Sequence, residues 1–521
     1  VCGRSLAAAA DLHRRSGKPE CDQSRSARGS DVDVRRAPNG SRDERDRLQE
    51  PALPGERRRL HQAGGVQLRR TMNTGLTEIN PGDVASCDDS TSLRSAREIT
   101  MKQLTRFAGA IAFALLFVTT SAFAENYKMT TPIAPGVAVP DTVESSIGTL
   151  HLSDGYPSDE TVEKIYDNLD RSRALQAYLL ALPIVNQAGM RATLRGFGPD
   201  NQTDVIWADL VDPRTVELTA NDNTIYNFIW LDTRKGPLVL EVPPKVLGLI
   251  DDFWYKWVAD VGITGADRGR GGKYLLLPPG YKGKTPKGYH VVRPSTYGNW
   301  LAFRAFLVKG STKPGVESVK KRLKIYRLSE AAKPPAMKFV NASGIPSNFV
   351  APGDYSFWNL LNEVIQEEPS AGSDPTTMGL FASIGIVKGK PFAPDERMKK
   401  ILTDAANIGA VTARSIAFRI REKSAYFYPN SAWRLPFFGG YKFEVAPGVS
   451  NLDGAAFFYY FATGVTPAMA EKMVGRGSQY PWSVQDAQGK RFEGGNHYKL
   501  HLPPNIPVKD FWSVIVYDNQ S

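Results

Sequence analysis

The stretch TIYNFIWLDTRKGPLVLEVP, residues 224–243, decides the fold: two runs of β-branched and aromatic residues stand on either side of a short Arg-Lys-Gly break. Such runs, bounded by Gly, Pro, Asn and Asp, predict short strands rather than helices. The pattern extends in both directions. Upstream lie VIWADLVD (205–212) and TVELTA (215–220), and downstream KYLLLPPG (273–280), GYHVVRPST (288–296) and NWLAFRAFLVKG (299–310). Strands in this density, with no alternation of strand and helix, predict an antiparallel sandwich and argue against a doubly wound sheet.

Outside that block the periodicity changes. YDNLDRSRALQAYLLALP (166–183) carries apolar residues at helical spacing and predicts a helix that stops at Pro183. The stretches SVKKRLKIYRL (318–328), FWNLLNEVIQEE (357–368) and 395–423 predict a helical middle section, and DDFWYKWVAD (251–260) also reads as helix-like. From Tyr426 onward, YKFEV, AAFFYYFATG, NHYKLHLPP and FWSVIVYD predict aromatic strands. The expected class is therefore mainly β, of the α+β kind.

Composition is uneven along the chain. The formal net charge of +11 over 521 residues conceals a first hundred residues with no aromatic side chain, which cannot build an ordinary core. That segment has 17 Arg against a single Lys, which fits a non-native or disordered leader better than a folded domain. Its interleaved acids make it a poor nucleic-acid arm, and no later stretch mixes basic and aromatic residues as a nucleic-acid platform does. Met101 opens MKQLTRFAGAIAFALLFVTTSAFA: a basic start, an apolar run and Ala122-Phe123-Ala124. This reads as a signal peptide over residues 101–124, cleaved after Ala124, so the protein is expected to be exported, periplasmic or secreted. No membrane span is expected in the mature chain, whose later apolar runs are all too short. All three cysteines, Cys2, Cys21 and Cys87, precede that cleavage point, so the mature chain excludes disulfides, thiolate catalysis and zinc-cysteine sites.

Several blocks together resemble a known family. They are LTANDNTIYNFIWLDT (218–233), GPLVLEVPP (236–244), GGKYLLLPPGYKGKTPKGYHVVRPST (271–296), GIVKGKPFAPDERMKKIL (385–402), TGVTPAMAEKMVGRGSQYPWSVQDAQGKRFEGGNHYKLHLPP (463–504) and FWSVIVYDNQS (511–521). Over residues 166–521 the chain resembles secreted bacterial proteins with a DUF1254 domain followed by a DUF1214 domain. The resemblance implies an Ig-like β-sandwich over residues 166–310, a helical linker region over 311–425 and a C-terminal jelly roll over 426–521, after an N-terminal extension at 125–165. It implies little about activity. Two departures stand out: family text near Asn-x-Asp-Thr reads Asn221-Asp222-Asn223-Thr224 here, and family members continue past the YDNQ turn, so the jelly roll is expected to be incomplete.

No familiar catalytic motif occurs. The nearest text to a nucleophile elbow, FASIG (381–385), lacks the first glycine, and GADRGRGG (265–272) has the wrong spacing for a phosphate loop. His497 and His501 sit in strand-like text, where residues four apart are about 13 Å apart, too far to share a zinc ion. Oxygen ligands are more plentiful. Asp200, Asn201 and Asp204 in GPDNQTD are the candidate ligands for Ca²⁺, although Asp/Asn-rich text is ordinarily a turn. Asp222, Asp232 and Asp260 are the candidate water-activating acids, with Tyr226, Trp254 and Trp257 as cleft-lining aromatics and Arg293, Thr296 and Tyr297 as a polar set near a strand end. The competing reading makes Trp254 and Trp257 core anchors and leaves the acids facing water.

Two functional readings follow. One is an exported hydrolase of small esters or lactones, assisted by Ca²⁺, which rests on eliminating thiol and nucleotide chemistry. The other is a non-catalytic envelope protein that binds carbohydrate or lipid through the aromatic strands FFYYF and FWSVIVY. Either takes a small-molecule ligand, and exposed sheet edges predict a homo-oligomer.

Overall fold

The computed structural model describes residues 7–10, 30–34, 131–134, 136–473, 478–506, 508 and 511–519. The chain divides into two compact units, Ala37–Pro140 and the remainder. The first is described only as turns and bends at 131–134 and 136–140, and the signal-peptide reading lies outside the described residues. Of the leader, backbone is described at Ala7–Ala10 and Ser30–Val34, which pair antiparallel with Val514–Tyr517 and Tyr498–Leu502. A small meander over 142–157 precedes the main body of the second unit.

That body is an α+β arrangement of two mixed sheets and a helical layer. In chain order the strands are β1 (Thr203–Ile206), β2 (Ile225–Asp232), β3 (Leu238–Val242), β4 (Leu247–Asp252), β5 (Trp257–Gly262), β6 (Gly272–Leu276), β7 (His290–Val292), β8 (Gly298–Ala305), β9 (Lys324–Arg327) and β10 (Lys338–Asn341). The larger sheet has the order β5-β4-β8-β2-β1-β10 and the smaller the order β7-β6-β3-β9. Pairing is antiparallel except at β1 with β10 and β6 with β7. The two strands predicted from residues 224–243 are β2 and β3, and they lie in different sheets. Strand β2 shows why: Ile225, Ile229 and Leu231 join Leu238, Leu240 and Val242 between the sheets, while Phe228 and Trp230 turn to the helices. A strand buried on both faces loses the apolar/polar alternation and reads as a continuous apolar run.

The helices are α1 (Asp159–Phe197), α2 (Lys313–Arg322), α3 (Ser356–Glu367), α4 (Pro375–Ser383), α5 (Glu396–Phe418), α6 (Leu452–Phe461) and α7 (Pro467–Ala470). Helix α1 starts where Ser158 accepts the Thr161 N–H at 3.2 Å and continues through Pro183. The predicted stop fails because Ala177, Tyr178, Ala181, Leu182, Ile184 and Val185 form one buried stripe across the proline, so tertiary burial offsets the lost backbone hydrogen bond. Helix α5 packs closely on it at Gly409, where a Cβ would lie 2.4 Å from the Tyr178 ring. With α3 and α6 these helices cover the outer face of the larger sheet.

Three further expectations are corrected. AAFFYYFATG is helix α6 and not a strand: Asn451 caps it by accepting the Gly454 N–H at 2.8 Å, and Phe457, Phe458 and Tyr459 are all buried. DDFWYKWVAD is the end of β4, a tight turn and the start of β5. There Asp252 Oδ1 accepts the N–H groups of Trp254 and Lys256, and Tyr255 takes φ 53°. SVKKRLKIYRL is helical only to Arg322 and then supplies β9, so the sheets recruit strands from beyond residue 310.

One strand residue breaks the local rules. Asp204 in β1 is completely buried, and neither carboxyl oxygen has a partner. Burial therefore holds its carboxyl well above the usual range, against a weaker pull from Lys320. Asp204→Val is expected to stabilise the protein by about 1–3 kcal/mol in urea unfolding, because an unsatisfied buried group is removed. That gain should grow as the pH rises above the ordinary carboxylate range, because the unfolded chain has then released a proton that the folded wild type retains.

Candidate ligand-binding cavity

The outer face of the larger sheet is not covered completely. Register sets Tyr226 opposite Arg304 and Phe228 opposite Ala302 across β2 and β8, and Arg304 opposite Leu247 and Ala302 opposite Leu249 across β8 and β4. These side chains, with Trp300, floor a cavity of about 190 Å³. Its roof comes from Phe458 and Phe461 of α6, the loop Ala462 to Thr466, Phe437 and Met469. Its far wall comes from Tyr480, Trp482, Ile515 and Tyr517. The cavity is mainly aromatic and aliphatic, with Glu217 set into its wall.

Glu217 follows the two-residue strand Thr215–Val216, which pairs in parallel with Ser347–Asn348. Thr215 also receives the Trp207 indole N–H at 2.9 Å, which fixes the strand's inward face. Val216 is left 37% exposed while Glu217 is 6% exposed, the reverse of the usual preference. Glu217 Oε1 accepts the Thr463 hydroxyl at 2.9 Å, and Oε2 has no partner. Burial pushes this carboxyl up to about 8, and the Thr463 hydrogen bond offsets only part of that.

The loop that supplies Thr463 latches two more acids. The Val465 N–H donates to Asp251 Oδ2 at 2.7 Å, and the Thr466 hydroxyl donates to Asp260 Oδ1 at 2.5 Å. Asp251 is fully buried and held well above the usual carboxylate range, chiefly by desolvation. The Tyr255 ring stacks on Tyr459 at 5.2 Å, and the Tyr459 hydroxyl donates to the Tyr255 carbonyl at 3.2 Å. One short loop after α6 thus bonds acids from three separate segments of the chain. Gly464 turns that loop with φ +77° directly against Trp300 and Leu249.

Residues 202–327 match the family described as "Protein of unknown function (DUF1254)", and residues 477–521 match "Protein of unknown function (DUF1214)". The chain is thus similar to the DUF1254 family over residues 202–327 and to the DUF1214 family over residues 477–521. Among solved structures it is similar to the VPA0106 protein from Vibrio parahaemolyticus, over 58% of this chain and 69% of that one, with 17% identity and a TM-score of 0.41. No curated protein matches. The cavity's floor therefore belongs to the DUF1254 domain and its far wall to the DUF1214 segment.

The sequence-predicted residues are scattered with respect to this cavity. Tyr226 lines it, and its hydroxyl accepts from the Asn221 side chain at 3.2 Å. Asp222 is exposed on the adjoining turn. Asp260 is buried and also accepts the Trp257 indole N–H at 2.9 Å, which leaves Trp257 at the surface and not in the core. Asp232 ends β2, four residues past Phe228 and so about 13 Å along the strand. It is clamped by Arg234 at 2.6 Å; burial raises its pKa, but the Arg234 guanidinium outweighs that and holds it below the ordinary value.

Trp254, Thr296 and Tyr297 gather at that same far end. Trp254 is buried and stacks on Phe381, Thr296 accepts the Phe253 N–H at 2.9 Å, and the Tyr297 N–H donates to Glu368 at 2.6 Å. Burial raises Glu368 to about 7 despite this bond and that from Gly298. Arg293 is exposed. The residues expected to bind calcium are each engaged differently: Asp200 pairs with Arg195 at 2.8 Å, and Asn201 exchanges hydrogen bonds with the backbone of Asp232. Asp204 is the lone buried acid of β1. Among the described residues no group of three or more His, Cys, Asp or Glu side chains forms a metal site, and no helix is long and apolar enough to cross a membrane.

Proposed function

We propose that the protein binds a small, mainly apolar molecule in the cavity between its DUF1254 and DUF1214 portions. The supporting observation is the cavity itself: about 190 Å³ walled largely by Phe, Trp, Leu and Met side chains. A dry cavity of roughly 150 Å³ is enough for benzene, so a slightly larger molecule fits this one. This is the lipid-type binding reading, moved from outward strand faces to the inside of α6. Trp300 and Trp482 line the space, so their fluorescence reports occupancy directly. Titration with indole or naphthol is expected to quench it saturably, and Ala302→Phe, which fills the floor, is expected to abolish the response while far-UV circular dichroism stays unchanged. Unchanged binding by that variant would overturn the assignment.

Hydrolysis of small esters or lactones is the second reading, favoured by a single feature of the same cavity, the buried carboxyl of Glu217. A carboxyl poised near neutrality suits general acid or base work. This moves the chemistry away from Asp222, Asp232 and Asp260. Turnover of chromogenic esters that disappears in Glu217→Gln would carry it, and turnover unaffected by that change would overturn it.

We read the two packed sheets as the Ig-like sandwich that the family resemblance implies, and residues 477–521 as strands of a jelly roll. Export by the signal peptide at 101–124 and assembly as a homo-oligomer belong to the same proposal. Sequencing the N-terminus of the protein recovered from its native envelope fraction tests the first, and light scattering the second.

A further inference from the structure

We infer that the cavity's ligand is a neutral molecule carrying a hydrogen-bond acceptor, such as a carbonyl or ether oxygen, and that Glu217 is the residue selecting for it. This inference rests on the cavity being the ligand site. It comes from the polar atoms left over in an otherwise apolar wall. Four buried atoms of wall residues lack a partner: Glu217 Oε2, Trp300 Nε1, Trp482 Nε1 and Thr264 Oγ1, the last a hydroxyl that can donate or accept. Native proteins seldom leave such atoms unpaired, and an unpaired buried group costs free energy that a bound ligand can recover. Both indole nitrogens can only donate.

Glu217 joins them as a third donor. Its Oε1 is taken by the Thr463 hydroxyl, and the oxygen left unbonded is the one that can carry the proton. Burial keeps the carboxyl protonated through neutral pH. Tyr255, which feels the charge of both Glu217 and Asp251, and Asp251 itself are each pushed toward the neutral form, chiefly by burial. Arg304 and Asp518, the other charged groups in the wall, have partners of their own. A wall of leftover donors beside a neutral acid favours a ligand oxygen with lone pairs and no charge. An anionic ligand would meet the acid itself and lose its hydration to an apolar surface.

Acetophenone, benzoate and isopropylbenzene are close in size and shape and differ in acceptor capacity, charge and polarity. Each is titrated into the full chain at about pH 6, with tryptophan fluorescence as the readout. Acetophenone is expected to bind about tenfold more tightly than either of the others, the ratio one well-made hydrogen bond supplies. Glu217→Gln, whose amide still donates, keeps the preference; Glu217→Leu erases it by weakening acetophenone to the level of isopropylbenzene. Between about pH 6 and pH 9 the wild type loses its preference and Glu217→Gln does not. Equal binding of acetophenone and isopropylbenzene by the wild type overturns the donor role of Glu217 and leaves the cavity reading intact. Tightest binding by benzoate overturns the neutral-ligand claim in favour of an anion site at Arg304. Binding by none of the three overturns the cavity reading and this inference with it.

Discussion

Between about pH 5 and pH 8, the unfolding free energy of the wild-type protein is expected to fall relative to that of Glu217→Gln by about 1.4 kcal/mol per pH unit. The sign follows from which state holds the proton. In the unfolded chain Glu217 titrates near its ordinary value of 4.5, whereas the folded carboxyl is pushed up to about 8 by burial. Across that window the folded state keeps a proton that the unfolded state has released, so raising the pH favours unfolding. Below the unfolded value both states are protonated and the wild type is at its most stable relative to the variant. Above about 8 both are ionised and the difference levels off. Glu368, raised to about 7, acts in the same direction over a narrower range. Asp232 acts oppositely: its folded pKa is depressed by Arg234, so its contribution is present at neutral pH and lost in acid. Guanidinium unfolding of both proteins at several pH values separates these contributions, and parallel curves for wild type and variant would show that Glu217 is not buried as described.

How much of this was legible in the sequence depends on how each residue is buried. Strands β2, β3 and β8 were readable because they are largely buried, which favours runs rich in Val, Ile, Leu and aromatic residues, whereas β4, written LGLIDD, was not. The same logic misled at FFYYF. A helix buried on nearly every side loses its 3.6-residue period, and without that period a run of aromatics is indistinguishable from a strand. The signal that would have separated them is Asn451, a helix-capping residue just ahead of the run, followed by Gly454 and two alanines. Pro183 misled for a different reason: a local helix breaker was overridden by packing on both sides of it.

The candidate site was only partly legible. Tyr226 was chosen and does line the cavity, and the block TGVTPAMA was singled out for its family resemblance. Its chemistry, three bonds to three acids, depends on folding Glu217, Asp251 and Asp260 onto one loop, which spacing cannot reveal. Glu217 was passed over inside TVELTA as a routine strand residue. The local pattern pointed the other way, since the strict alternation of a half-buried strand would have put Val216 and Leu218 inside and Glu217 outside. The parallel pairing of Thr215–Val216 with Ser347–Asn348 fixes the opposite orientation for Val216 and Glu217, and that pairing is a long-range contact. Asp222 and Asp232 attracted attention as acids beside aromatics. One is a solvated turn residue, and the other is bound in a salt bridge, the commonest fate of an acid next to an arginine.

Gly464→Val is expected to cost about 3 kcal/mol or more in guanidinium unfolding and to abolish binding of apolar probes. Two effects add. At φ +77° a β-branched side chain is strained by about 1–3 kcal/mol wherever it occurs. At this position even a Cβ would lie 3.3 Å from the Trp300 ring and 3.4 Å from Leu249, so the valine methyls have to displace the loop from the cavity roof. Displacement releases the hydroxyl of Thr463 from Glu217, the N–H of Val465 from Asp251 and the hydroxyl of Thr466 from Asp260, and each buried acid then loses a donor it cannot replace from solvent. Gly448 provides the control. It has nearly the same backbone angle, φ +78°, with nothing within 4 Å of its Cβ position, so Gly448→Val carries the strain without the displacement. The excess cost of Gly464→Val over Gly448→Val therefore measures what the loop contributes by closing on the larger sheet. Equal costs for the two substitutions, with probe binding retained in both, would show that the loop is held by its own conformation and that the three latched acids do not couple the cavity roof to the DUF1254 sheet.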